Sequence, residues 1–112
     1  MRKMILAAAL LALPLAGAQA QAIPTNCSGV VEAVGWQSQS ERGYWASSVD
    51  LRNVSGRAVQ VTVQYNGAGA FNQPAFRMEP GAWIRRWLAR TSSGVPEATL
   101  RASTTLICAE PR

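Results

Sequence analysis

From Val59 to Tyr65 an apolar side chain stands at every second position, with Gln60, Thr62 and Gln64 between. A period of two is the repeat of a β-strand with one dry and one wet face, and no helix can sort its side chains that way. The pattern recurs along the chain. Over Tyr44–Asn53, Trp45, Val49 and Leu51 share one side, and Ala46, Ser48, Asp50 and Arg52 share the other. Residues 28–37 read as an earlier strand with Val30, Val34 and Trp36 together. Residues 75–78 read as a short edge strand behind Pro74, residues 82–90 as a fifth strand and residues 98–109 as a long last one.

Turn chemistry separates these runs. Asn53-Val54-Ser55-Gly56 lies between two strands and predicts an antiparallel hairpin, because Asn and Ser bond locally to the backbone and Gly accepts positive φ. Glu79-Pro80-Gly81-Ala82 has Pro and Gly at the central positions of a type II turn. Residues 38–43 and 91–96 read as polar loops, and residues 66–74 as a flexible one. The sum predicts an all-β chain: a small antiparallel β-sandwich, or a small barrel, of about six to seven strands.

The first twenty residues read as a leader. Arg2 and Lys3 precede an apolar run over residues 4–13, then Pro14, Gly17 and the small-residue site Ala18-Gln19-Ala20. That layout is a cleaved secretory signal peptide. Its apolar run is shorter than the roughly 20 residues needed to cross a bilayer, and Pro24-Thr25-Asn26 before Cys27 does not make a lipid-attachment site. The expected location is therefore periplasmic or secreted, with no membrane span and one domain over residues 21–112. Without Arg2 and Lys3, nine arginines face six acids, a mature charge of +3. That is too small and too dispersed for a nucleic-acid footprint.

A domain of this size gains from a covalent staple. Cys27 and Cys108 stand near the two ends of the mature chain, an even pair in an oxidising compartment, and are expected to form a disulfide. A redox pair would instead sit close together as C-x-x-C.

The mature chain contains no His and no Lys. Imidazole is the usual general base near neutral pH, and Ser or Cys nucleophiles normally rely on His or Lys for activation. Two carboxylates alone can cleave a glycoside, but Glu32, Glu41, Asp50, Glu79, Glu97 and Glu110 are scattered along the sequence. No catalytic residues, no metal site and no cofactor are expected, since a transition metal lacks imidazole and thiolate and a calcium loop lacks its carboxylates. Two sequons occur, at Asn26-Cys27-Ser28 and Asn53-Val54-Ser55; the turn sufficiently explains Asn53, and under a bacterial reading both are coincidence.

One stretch carries chemistry of another kind. Residues 80–93 hold two of the four Trp, and as a strand Trp83, Arg85 and Trp87 share one face while Ile84, Arg86, Leu88 and Arg90 share the other. The burial tendency of large rings favours turning both Trp into the core with Arg85 snorkelling. The opposite orientation makes Trp83, Arg85 and Trp87 a displayed aromatic and cationic ladder. Tyr44, on the polar side of its strand, joins these three as a candidate binding residue. The expected function is a non-catalytic binding or interaction module held by Cys27–Cys108 and contacting a protein or a cell-envelope glycan. The alternatives are a secreted inhibitor of an envelope lysozyme or protease, presenting the loops at 38–43 or 66–74, and a structural subunit pairing through the edge of the Val59–Tyr65 strand.

Overall fold

The computed structural model of the protein describes residues 23, 26–71 and 73–111. The leader expected over residues 1–20 lies outside the described residues. In chain order the elements are β1 (Val31–Glu41), β2 (Tyr44–Asn53), β3 (Val59–Tyr65), β4 (Phe76–Met78), β5 (Trp83–Thr91), helix α1 (Glu97–Ser103) and β6 (Thr104–Ala109). The strands form two three-stranded antiparallel sheets, ordered β1-β2-β5 and β4-β3-β6. The chain is therefore mostly β, as the alternating patterns predict.

Both sheets feed one buried cluster. Val31, Val49, Leu51 and Leu88 come from the first sheet, Val59, Val61, Met78 and Cys108 from the second, and Leu100 from α1. Cys27 and Cys108 are bonded, with Cα atoms 5.0 Å apart, and join the two ends of the described chain across 81 residues. The turn into β5 follows its sequence. Ala82 N donates to Glu79 O at 3.0 Å and Gly81 sits at φ 76°, the left-handed position that a type II turn reserves for glycine.

The hairpin expected at residues 53–56 is not formed. β2 and β3 belong to different sheets, and residues 54–58 are a corner that carries the chain from one sheet to the other. The cause is Asn53. Its side chain is buried and donates to Arg57 O at 2.8 Å, Met78 O at 3.1 Å and Glu79 O at 3.1 Å, while its Oδ1 accepts from Ser55 N and Ser55 Oγ. Its backbone N donates to Ala82 O and its carbonyl accepts from Gly81 N. The corner is thus bonded to the β4–β5 turn, and β2 takes β5 as its partner.

Three other expectations are corrected. Residues 98–109 do not form one strand: Glu97–Ser103 is helical and only Thr104–Ala109 is extended. Glu97 in the first turn pairs with Arg101 one turn later, a spacing that supports a helix, and the helix buries Leu100 in the core. Residues 38–41 extend β1, leaving Arg42-Gly43 as the whole β1–β2 connection. Within β1 the register slips between Ala33 and Gly35, so Val34 becomes a bulge residue, 41% exposed, instead of joining Trp36 on the inner side.

The segment after β3 is tied down. Ala70 bridges Ala89, Phe71 N donates to Leu88 O and Arg90 N donates to Gly69 O, so residues 69–71 run along the free edge of β5. Gly69 has φ 71° and a Cβ there would collide with the Arg90 carbonyl, so only glycine allows this approach.

Candidate functional site

Side chains directly opposite in an antiparallel pair point to the same side. The outer face of the β1-β2-β5 sheet can therefore be written in rows across the three strands. Glu32, Arg52 and Trp83 make the first row, Gly35, Asp50 and Arg85 the second, Gln37, Ser48 and Trp87 the third, and Gln39, Ala46 and Arg90 the fourth; Glu41 and Tyr44 close the end. The opposite parity, with Leu51, Val49 and Ile84, packs toward the core.

Trp83 is 60% exposed and Trp87 39% exposed, so the burial tendency of large rings does not decide this strand. The inner side of β5 is taken by Ile84, Leu88 and Ala89, and by Arg86, whose guanidinium stacks on the Phe76 ring at 4.0 Å. The alternation also breaks once. Ser48 pairs with Trp87 but Ser47 pairs with Ala89, leaving Leu88 as an extra residue. This bulge returns Arg90 to the Trp87 side, whereas uninterrupted alternation assigns it to the side of Ile84.

Arg90 then stacks over the Tyr44 ring, 4.2 Å from its centre. Around this pair opens a groove of about 530 Å³, with Ala46 in its lining, Gln39 and Glu41 from β1, Trp87 from β5, and Phe71 and Gln73 from the segment tied along the β5 edge. The Gln73 amide donates to Trp87 O, which fixes that wall. Gln39 Nε2 donates to Glu41 Oε2 at 3.0 Å. Three rings, two amides, one carboxylate and one guanidinium thus border a single depression.

Of the four residues singled out from sequence, Tyr44 and Trp87 line the groove, while Arg85 and Trp83 lie farther along the same face. Arg85 is engaged within the sheet. Its Nε and Nη2 donate to Asp50 Oδ1 at 2.7 Å and Oδ2 at 3.1 Å, Gln37 Nε2 donates to the same carboxylate at 3.1 Å, and Ser48 Oγ donates to Gln37 Oε1. The Arg85 hydrogen bonds, aided by Gln37, hold the Asp50 carboxyl below its ordinary range, and Asp50 in turn raises Arg85. Sequence reading missed Phe71, Gln73, Gln39, Glu41 and Arg90. Phe71 as a lone ring in a polar loop was the available signal; the bulge that turns Arg90 outward leaves none.

Comparison with protein-family models, curated proteins and solved structures finds no match to this chain. Among the described residues, no helix is long and apolar enough to cross a membrane, and no group of three or more His, Cys, Asp or Glu is placed to hold a metal ion.

Proposed function

We propose that this chain is a non-catalytic binding module of the cell envelope or the secreted space, and that it takes a glycan on the outer face of the β1-β2-β5 sheet. One observation carries the reading: Tyr44, Phe71 and Trp87 border a single groove together with Gln39, Gln73, Glu41 and Arg90. A sugar ring offers an apolar C–H face and a rim of hydroxyls. The first matches the electron-rich face of an aromatic ring, and the second matches amides and a carboxylate at the groove edge. The groove volume falls within the ordinary range for small-ligand sites. In this reading the two sheets are the halves of a small sandwich over residues 21–112, linked by the disulfide between the start of β1 and β6, with the site on the outer face of the first.

Turnover has little support. The chain has no imidazole, and Asp50, Glu79, Glu97 and Glu110 are each paired with an arginine. The inhibitor alternative is less favoured because residues 38–41 are strand and residues 69–71 are bonded to β5. Edge pairing through Val59–Tyr65 is less favoured because β6 pairs one edge of β3 from Gln60 to Tyr65 and β4 covers the other over Val59–Val61.

The test is retention of the processed protein on insoluble envelope glycans, wild type beside Tyr44→Ala and Trp87→Ala. Wild type is expected to be retained and both variants to lose most of that retention. Wild type passing through unretained, or variants retained equally, would remove the reading.

A further inference from the structure

Three features of the outer face lie beyond the groove. Trp83 and Trp87 stand on the same side of β5 four residues apart, which at strand rise separates their backbone positions by about 13 Å. No single sugar ring touches both. Between them lies the row of Gly35, Asp50 and Arg85, with Gln37 of the Trp87 row bonded to the same carboxylate, a polar strip without a hydrophobic side chain. Charge along the face also balances, with Glu32, Asp50 and Glu41 against Arg52, Arg85 and Arg90. Arg85 is committed to Asp50, Arg90 lies on Tyr44, and Arg52 stands opposite Glu32.

A polyanion would need surplus cations on this face, and it would meet three carboxylates. An apolar protein partner would lack matching surface across the polar strip. What matches is a chain of uncharged polar rings, apolar on their faces and hydroxylated at their edges.

We propose that the ligand is a linear, uncharged oligosaccharide laid along β5. One unit stacks in the groove at Trp87 and Tyr44, the polar strip bonds hydroxyls of the stretch that follows, and a later unit stacks on Trp83. This rests on the glycan reading above and adds the ligand's length, direction and charge.

The experiment is calorimetric titration of the full processed chain with two soluble series, cello-oligosaccharides and chito-oligosaccharides, from monosaccharide to hexasaccharide, at low and high salt. In at least one series, affinity is expected to rise with length until the chain reaches both rings and then to level off. Trp83→Ala is expected to remove about three- to tenfold of the long-chain affinity, the worth of one aromatic platform, while leaving short-chain affinity unchanged. Trp83→Phe should restore most of that gain, and Trp87→Ala should weaken every length. Salt should leave all values nearly constant. Affinity independent of length, or insensitive to Trp83→Ala at every length, overturns the extended-ligand proposal while the groove reading stands. A steep loss with salt overturns the uncharged ligand and indicates an ionic partner. No binding of any oligosaccharide, together with no retention on insoluble glycans, overturns both.

Discussion

Asn53 is 1% exposed and its amide is shared among three backbone carbonyls from two separate stretches of chain. An alanine there leaves those carbonyls without their donor in a place water does not reach, and unsatisfied buried polar groups cost about 1–3 kcal/mol each. Asn53→Ala is therefore expected to lose about 3 kcal/mol, read as a lower denaturant midpoint, and Ser55→Ala about 1 kcal/mol because Ser55 contributes fewer of the bonds. The same burial leaves no place for a glycan on Asn53 in the folded chain, in line with its role in the corner. A second residue-scale effect concerns pH. Asp50 has a folded pKa depressed by Arg85 and Gln37, so its contribution to stability is complete above its unfolded value of about 3.9 and is lost as pH falls through the lower folded value. Wild type should melt above Asp50→Asn at neutral pH, with the gap closing only below about pH 4. A gap that closes near neutrality would contradict the pairing.

At the scale of elements, local chemistry was legible wherever it acts locally. β2, β3, the short edge strand and the Pro80-Gly81 turn follow from alternation and turn residues read a few positions at a time. The helix α1 escapes the sequence reading, although Pro96 ahead of it and Glu97 four residues before Arg101 are helix signals. Two bulges were not legible. Nothing in the sequence near Val34 or Leu88 announces an extra residue, since a bulge is decided by what the neighbouring strand pairs with. The corner at 54–58 is of the same kind: a polar turn between two alternating runs serves a hairpin and a crossing between sheets alike, and only the distant 78–82 backbone that bonds Asn53 distinguishes them. The groove inherits this uncertainty, because Arg90 reaches it through the Leu88 bulge and Phe71 through the approach of Gly69 to β5. Gly69→Ala tests that second dependence. Its Cβ has no room beside the Arg90 carbonyl and its φ is left-handed, so the variant is expected to lose about 1–3 kcal/mol and, by displacing Phe71 and Gln73, to lose glycan retention even at temperatures where it stays folded. Full retention by a folded Gly69→Ala protein would show that the Phe71 wall does not matter.

For the molecule as a whole, the disulfide links the two sheets and the groove lies away from it. Cys27 sits just before Val31, the first residue of β1, whereas the groove uses Gln39 and Glu41 at the far end of that strand. Cys108 is on β6 opposite Val61, whereas every groove residue comes from β1, β2, β5 or the segment along the β5 edge. The bridge closes 81 residues, and chain-entropy reasoning assigns such a loop roughly 4 kcal/mol of stabilisation, acting through the unfolded state. That is a large share of the 5–15 kcal/mol typical of a small domain. At about 4–8 °C per kcal/mol for a domain of this size, the double variant Cys27→Ser/Cys108→Ser is expected to melt roughly 15–30 °C below wild type, by calorimetry or circular dichroism. Because the loss comes mainly from a freer unfolded chain, the folded population that remains in the cold keeps its β1-β2-β5 face. Its affinity per folded molecule should then equal that of wild type. Were affinity to fall in proportion to stability, the staple would be shaping the groove through β1 or the shared core, and the separation of staple from groove would be wrong.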